Sequence, residues 1–162
     1  MTAGALAWLL VRNGFWAAVA TLGFAVSFSV PRYALLPCAL IGALAYSLRT
    51  ALMSAGAGLV MATLLAGILI GMLAAVLARS FGVSSVLFAA SPAIPLVPGT
   101  YAYKAMVGMF LVAGAPDRQR SAELLVAAFD DGIKAALTLV SLSCGIALPG
   151  LVWISFRRPT GA

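Results

Sequence analysis

Apolar positions along this chain run in blocks of about 20 residues, parted by short turn-forming or charged stretches. No sustained alternation of apolar and polar residues appears, so the pattern predicts helices rather than strands. The first block covers about 8–29 and stops at Val30-Pro31-Arg32. It is already apolar before Arg12, which favours a first membrane span over a cleaved leader. A second span is expected over about 34–54, with Arg49 in its last turns, and a third over about 59–78, stopping at Arg79. The uncharged Gly56-Ala57-Gly58 turn lies between them.

The fourth apolar region, 84–113, contains a run of prolines: Pro92-Ala93-Ile94-Pro95-Leu96-Val97-Pro98-Gly99-Thr100-Tyr101-Ala102-Tyr103-Lys104. Each proline removes a backbone N–H and clashes with the preceding turn. The expected outcome is a half-helix near 84–91, a non-helical break over 92–99, and a second piece from Gly99 to Ala113. Within a bilayer such a break is tolerated only where it is buried in protein or lines a polar cavity. Secondary transporters place their substrate sites at breaks of this kind; an interfacial loop between two spans is the other reading.

Positions 115–120, with Pro116 and Asp117, read as a turn. The apolar block over 121–156 would be about 54 Å long as one helix, against a hydrocarbon core of about 30 Å. Residues about 121–131 are therefore expected at an interface or in a cavity, with the last span over about 133–155. That span closes with Pro149-Gly150, Trp153 and Arg157-Arg158. The fold class is all-α: a polytopic helical membrane protein with about five spans, one of them broken, forming a single transmembrane domain over 1–162.

Composition agrees. Of 162 residues 64% are hydrophobic and 9% charged, whereas a soluble domain carries about 25% charged residues. The net charge of +6 comes from cations scattered at span ends rather than from a basic cluster with interleaved aromatics. That distribution suits anionic lipid and argues against nucleic acid. Five spans put Arg12, Arg118 and Arg120 on one side and Arg32, Arg79, Arg157 and Arg158 on the other, a bias toward a cytoplasmic C-terminus. There is no histidine, and the two cysteines, Cys38 and Cys144, match no metal or redox spacing. They read as small buried residues; no cofactor, metal site or enzymatic constellation is expected. Serines 84, 85, 91, 141 and 143 read as helix-packing residues. Gly67, Gly71 and Ala75 form one small-residue stripe, which supports close helix approach without naming its partner.

Ionisable residues at membrane depth are functional candidates because burying them is costly. Lys104 follows Gly99 by five residues and shares a helical face with Thr100 and Tyr101. A helix beginning at Gly99 would add free N–H groups and a positive dipole end, making a receptor for a carboxylate. A lysine snorkelling among interfacial tyrosines fits the same residues. Arg49 is either a second cation for an anionic substrate, a partner for an aspartate, or a snorkelling side chain. Asp131 and Lys134 can pair at i, i+3; alternatively Asp130 or Asp131 faces a cavity and serves a substrate ammonium or a coupling proton.

Three segments carry a family resemblance. Gly23-Phe24-Ala25-Val26-Ser27-Phe28-Ser29-Val30-Pro31 with Leu36-Pro37-Cys38-Ala39-Leu40-Ile41-Gly42 resembles the first block of the threonine/serine exporter family. Ile94-Pro95-Leu96-Val97-Pro98-Gly99-Thr100-Tyr101-Ala102-Tyr103-Lys104-Ala105-Met106 resembles its proline-glycine block, the most specific of the three. Pro149-Gly150-Leu151-Val152-Trp153 and Arg157-Arg158-Pro159 resemble its C-terminal end. The resemblance implies the small, C-terminal-half subunit of a two-component exporter in a bacterial inner membrane. It also implies a larger subunit carrying the other half, small amino-acid or dicarboxylate substrates such as succinate, and proton drive. Pro95, Pro98, Gly99 and Tyr101 are the positions matched to the family motif. A homo-oligomer is compatible with this arrangement. A non-transporting membrane scaffold is the competing reading, though a scaffold has no need of a broken helix with charge at depth.

Overall fold

The computed structural model describes residues 3–114 and 117–156. Six α-helices follow one another: α1 (Ala3–Ser27), α2 (Arg32–Ser54), α3 (Leu59–Phe81), α4 (Ser85–Ala93), α5 (Gly99–Ala113) and α6 (Arg118–Phe156). A 3₁₀ turn, Ile94–Leu96, follows α4 directly. Four helices are long and apolar enough to cross a membrane, or up to five where the broken, bent pair Ser85–Leu96 with Gly99–Ala113 counts as one span.

The helix ends have local causes. Val30, Ala57 and Val83 each donate their N–H back to the carbonyl five residues earlier, on Ala25, Leu52 and Ala78. These 6→1 bonds need a left-handed residue just before the donor, supplied by Ser29 (φ 56°), Gly56 (φ 95°) and Gly82 (φ 67°). Ser84 then opens α4, its hydroxyl accepting the Val86 N–H at 3.4 Å.

The chain divides into two compact units, one of residues 1–96 with 141–162 and one of 97–140. The core of the first is built largely of alanine: Ala34, Ala45, Ala66, Ala74, Cys38, Ile70, Phe88 and Leu96 are all buried. Small side chains bring helices close enough for dispersion and backbone contacts to hold them in lipid, where no hydrophobic driving force separates helix from solvent. The stripe on α3 has its partner inside this unit. A Cβ on Gly67 would lie 2.9 Å from the Leu142 carbonyl, and one on Gly71 would meet the Ile146 backbone. From the facing side, Gly145 is pressed against the backbone of Leu64 and Gly67. The stripe is therefore consumed by α6 and gives no argument for a second chain.

In the second unit α5 and α6 pack antiparallel. Gly108 meets Ala128, and Gly132 lies beside Ala105.

Two expectations need correction, and the last apolar block is a single helix. The helix α6 is continuous from Arg118 to Phe156, so the stretch 121–131 and the expected last span belong to one element. Bilayer thickness limits how much of a helix lipid covers but does not end it; the first proline within α6 is Pro149, so the hydrogen-bond ladder continues. The helical interruption is narrower than 92–99. Pro92 is accommodated inside α4, residues 94–96 keep 3₁₀ bonding, and only Val97-Pro98 leave helical geometry. Cys38 is buried as expected, but Cys144 is exposed on the surface of the chain. Pro116 and the basic pair Arg157-Arg158 lie outside the described residues.

Candidate functional site

In the first unit the approach to the break is built from α4 and the 3₁₀ turn. Pro92 has no N–H, so the Phe88 carbonyl loses its helical partner. The Ile94 N–H turns back to the Ser91 carbonyl. Phe88, Ser91, Pro92 and Leu96 are buried, and the Ser91 hydroxyl oxygen has no hydrogen-bond partner. Ser91 is buried in the packing of α4, and its unpartnered hydroxyl is an exception among buried polar groups.

Arg49 bonds the far end of the same segment. Its Nη1 donates to the Leu96 carbonyl at 2.7 Å, where the 3₁₀ turn ends and no helical N–H follows. Through that contact α2 ties down the segment before the break with a charged hydrogen bond. Sequence spacing could not reveal it, because the partner is a backbone atom 47 residues away.

The same turn forms one wall of a groove of about 300 Å³ lined by Asn13, Trp16, Ala17, Ala20, Tyr46 and Pro95. The helices α1 and α2 form its other walls. Asn13, Trp16 and Tyr46 drew no attention in the sequence; the available signal was an uncharged amide inside the first apolar block.

In the second unit Val97-Pro98 leads into α5. Pro98 adopts φ −80° and ψ 58°, and the Gly99 N–H donates across it to the Val97 carbonyl at 2.9 Å, an inverse γ-turn. The Tyr101 and Ala102 N–H groups both donate to the Pro98 carbonyl, at 3.1 and 3.2 Å. The first turn of α5 is therefore largely self-satisfied. Of its amides, that of Thr100 remains to meet a ligand, fewer than the free set the sequence suggested. Thr100 and Lys104 are exposed and Tyr101 is half-buried.

On α6, Lys134 Nζ donates to Asp130 Oδ2 at 2.5 Å. The pair is Asp130–Lys134 at i, i+4, not Asp131–Lys134 at i, i+3. Asp131 and the Tyr101 hydroxyl are near enough to Lys134 to contribute to its electrostatic environment. The fold thus gathers Tyr101, Asp130, Asp131 and Lys134 in one unit, while Arg49 and Pro95 belong to the other. A cysteine at Val97, inside the break, with Cys38 and Cys144 replaced, is expected to react with a water-soluble thiol reagent if the break lines a polar cavity. Full protection in every state of a transport cycle would place the break in a dry core.

No solved structure matches this chain. The family described as Threonine/Serine exporter, ThrE, matches it over residues 13–152, a stretch that includes the broken span, Arg49 and the Asp130–Lys134 pair. With most of its length matched and up to five apolar helices long enough to cross a bilayer, the chain belongs to the threonine/serine exporter family, as a multi-pass transporter domain of the bacterial inner membrane.

Proposed function

We propose that the chain is the small transmembrane subunit of a two-component secondary exporter of small carboxylate metabolites. Threonine and serine, or succinate-like dicarboxylates, are the substrate classes, and the proton gradient is the driving force. The observation that carries this reading is the broken span itself: a helix interrupted at Val97-Pro98, its last carbonyl held by an arginine from another span. Such backbone is costly in lipid and useful where a solute must be bound and released.

In this reading the whole chain acts as one transmembrane domain, and a larger subunit supplies the other membrane half. The substrate pathway runs past Pro95, Pro98, Gly99, Thr100, Tyr101, Lys104 and Arg49. Lys104, exposed beside the start of α5, receives a substrate carboxylate. Asp131 is the better candidate for proton coupling, because Asp130 is already neutralised by Lys134.

The test is transport by inverted membrane vesicles. Vesicles carrying the chain with its larger subunit are expected to accumulate labelled threonine, serine or succinate, and to lose accumulation when a protonophore collapses the gradient. Co-expression is expected to raise the yield of folded chain. Export at full rate by the chain purified alone would remove the two-component part of the proposal.

A further inference from the structure

We infer that the groove between α1, α2 and the 3₁₀ turn is a binding site for the carboxylate solute, with Arg49 as its anion receptor and Asn13 and Tyr46 as its polar contacts. The inference rests on the exporter reading and adds to it a site distinct from Thr100, Tyr101 and Lys104.

Four observations carry it. First, the groove is small, about 300 Å³, at the lower end of the roughly 300–1,000 Å³ range of ligand sites. Its size suits a metabolite of a few heavy atoms. Second, its lining brings two residues with polar side chains, Asn13 and Tyr46, together with Trp16 and two alanines. That combination of a few polar groups on an apolar wall fixes a small amphiphilic solute. Third, Arg49 lies beside the groove rather than in its lining, three residues beyond Tyr46 on the same face of α2. Its guanidinium reaches the carbonyl of Leu96, the residue after Pro95 in the groove wall. Fourth, the location is within the membrane. Asn13 is seven residues into the Leu6–Ser27 span and Tyr46 eight residues from the Ser54 end of α2, each about 10–12 Å deep at 1.5 Å per residue.

The contact between Arg49 and Leu96 also gives the site a means of coupling binding to movement. A carboxylate offers the guanidinium two charged acceptors where the carbonyl offers one neutral acceptor. A bound solute therefore competes for Arg49. As it does so it releases the Leu96 carbonyl and loosens the segment next to Val97-Pro98. The Ser91 hydroxyl beside that segment already lacks a hydrogen-bond partner.

The experiment uses the full chain, co-expressed with its larger subunit, in inverted membrane vesicles, with Cys38→Ala, Cys144→Ala and a single reporter, Ala20→Cys, on the groove wall. Labelling by a cationic methanethiosulfonate is followed with and without L-threonine, L-serine or succinate. The solute that the vesicles accumulate is expected to slow labelling of Ala20→Cys several-fold, without affecting Val19→Cys on the exposed flank of α1. Arg49→Ala is expected to abolish that protection, and Arg49→Lys to restore part of it. Tyr46→Phe, which keeps the ring, is expected to raise KM about tenfold, the equivalent of one hydrogen bond, with little change in kcat. Accumulation of a solute that leaves Ala20→Cys labelling unchanged would overturn the groove while the exporter reading stands. Protection without accumulation would support the groove and sink the exporter reading. Neither protection nor accumulation with all three solutes would remove both.

Discussion

Lys104→Ala is expected to lower export about 10- to 100-fold, the worth of one charged hydrogen bond, with an unchanged amount of chain in the membrane. Lys104 is exposed on α5, one turn from Thr100 and close to the positive end of the helix dipole. It forms no ion pair among the described residues, so removing it leaves no buried charge behind. Folding should therefore be little affected, and the loss should fall on transport. Lys104→Arg keeps the charge but not its compact shape and is expected to retain part of the activity. Vesicle uptake at matched protein levels is the measurement. Wild-type export by Lys104→Ala would reduce the residue to a snorkelling anchor. The aspartates then separate the two roles on α6. Asp131→Asn is expected to uncouple transport from the proton gradient, whereas Asp130→Asn strips Lys134 of its partner and should depress export of every substrate alike.

Gly145→Val is expected to cost the most stability. A Cβ at Gly145 would stand 2.5 Å from the Leu64 carbonyl oxygen, 3.0 Å from the Ile68 nitrogen and 3.1 Å from the Gly67 carbonyl carbon. All three are backbone atoms of α3 and cannot rotate away, so the two helices must separate. Overpacking of this kind costs about 1–3 kcal/mol, occasionally more, out of a total stability of about 5–15 kcal/mol. Val also adds γ-carbons that the contact has no room for. Gly23→Val, where a Cβ meets nothing within 4 Å, is the matched control. Melting of the two variants in detergent should differ clearly, with Gly145→Val losing the transition or shifting it down and Gly23→Val staying near wild type. Equal melting would mean that the contact between α3 and α6 does not hold the first unit together.

Much of the architecture was legible because membrane helices answer to local rules. Apolar blocks of the right length become spans, since in lipid each backbone N–H and C=O must find its partner within the same helix. Pro95, Pro98 and Gly99 marked the broken span for the same reason: a missing N–H is a property of the residue, wherever it sits. The family followed from the same residues, with the proline-glycine block inside the matched stretch 13–152.

What the tertiary structure decided concerns partners, and a partner depends on which atoms arrive from elsewhere. Asp130 rather than Asp131 takes Lys134 because side-chain direction on one helix face favours the four-residue spacing here. The small residues of α3 face Gly145 and Ile146 of α6, a pairing that a stripe of glycines cannot name by itself. The 39-residue α6 runs on past the thickness of the bilayer because its ladder of hydrogen bonds has no reason to stop. Arg49 finds a carbonyl left without a helical donor where the chain turns at Val97-Pro98, and Asn13, Trp16 and Tyr46 become neighbours of Pro95 only when α1 and α2 close around the turn. Composition and periodicity determined that this chain crosses a membrane and where one helix must break. The packing of helices distant in sequence decided which groups stand at the break, because hydrogen-bond donors and cavities there are shared between segments that no local pattern connects.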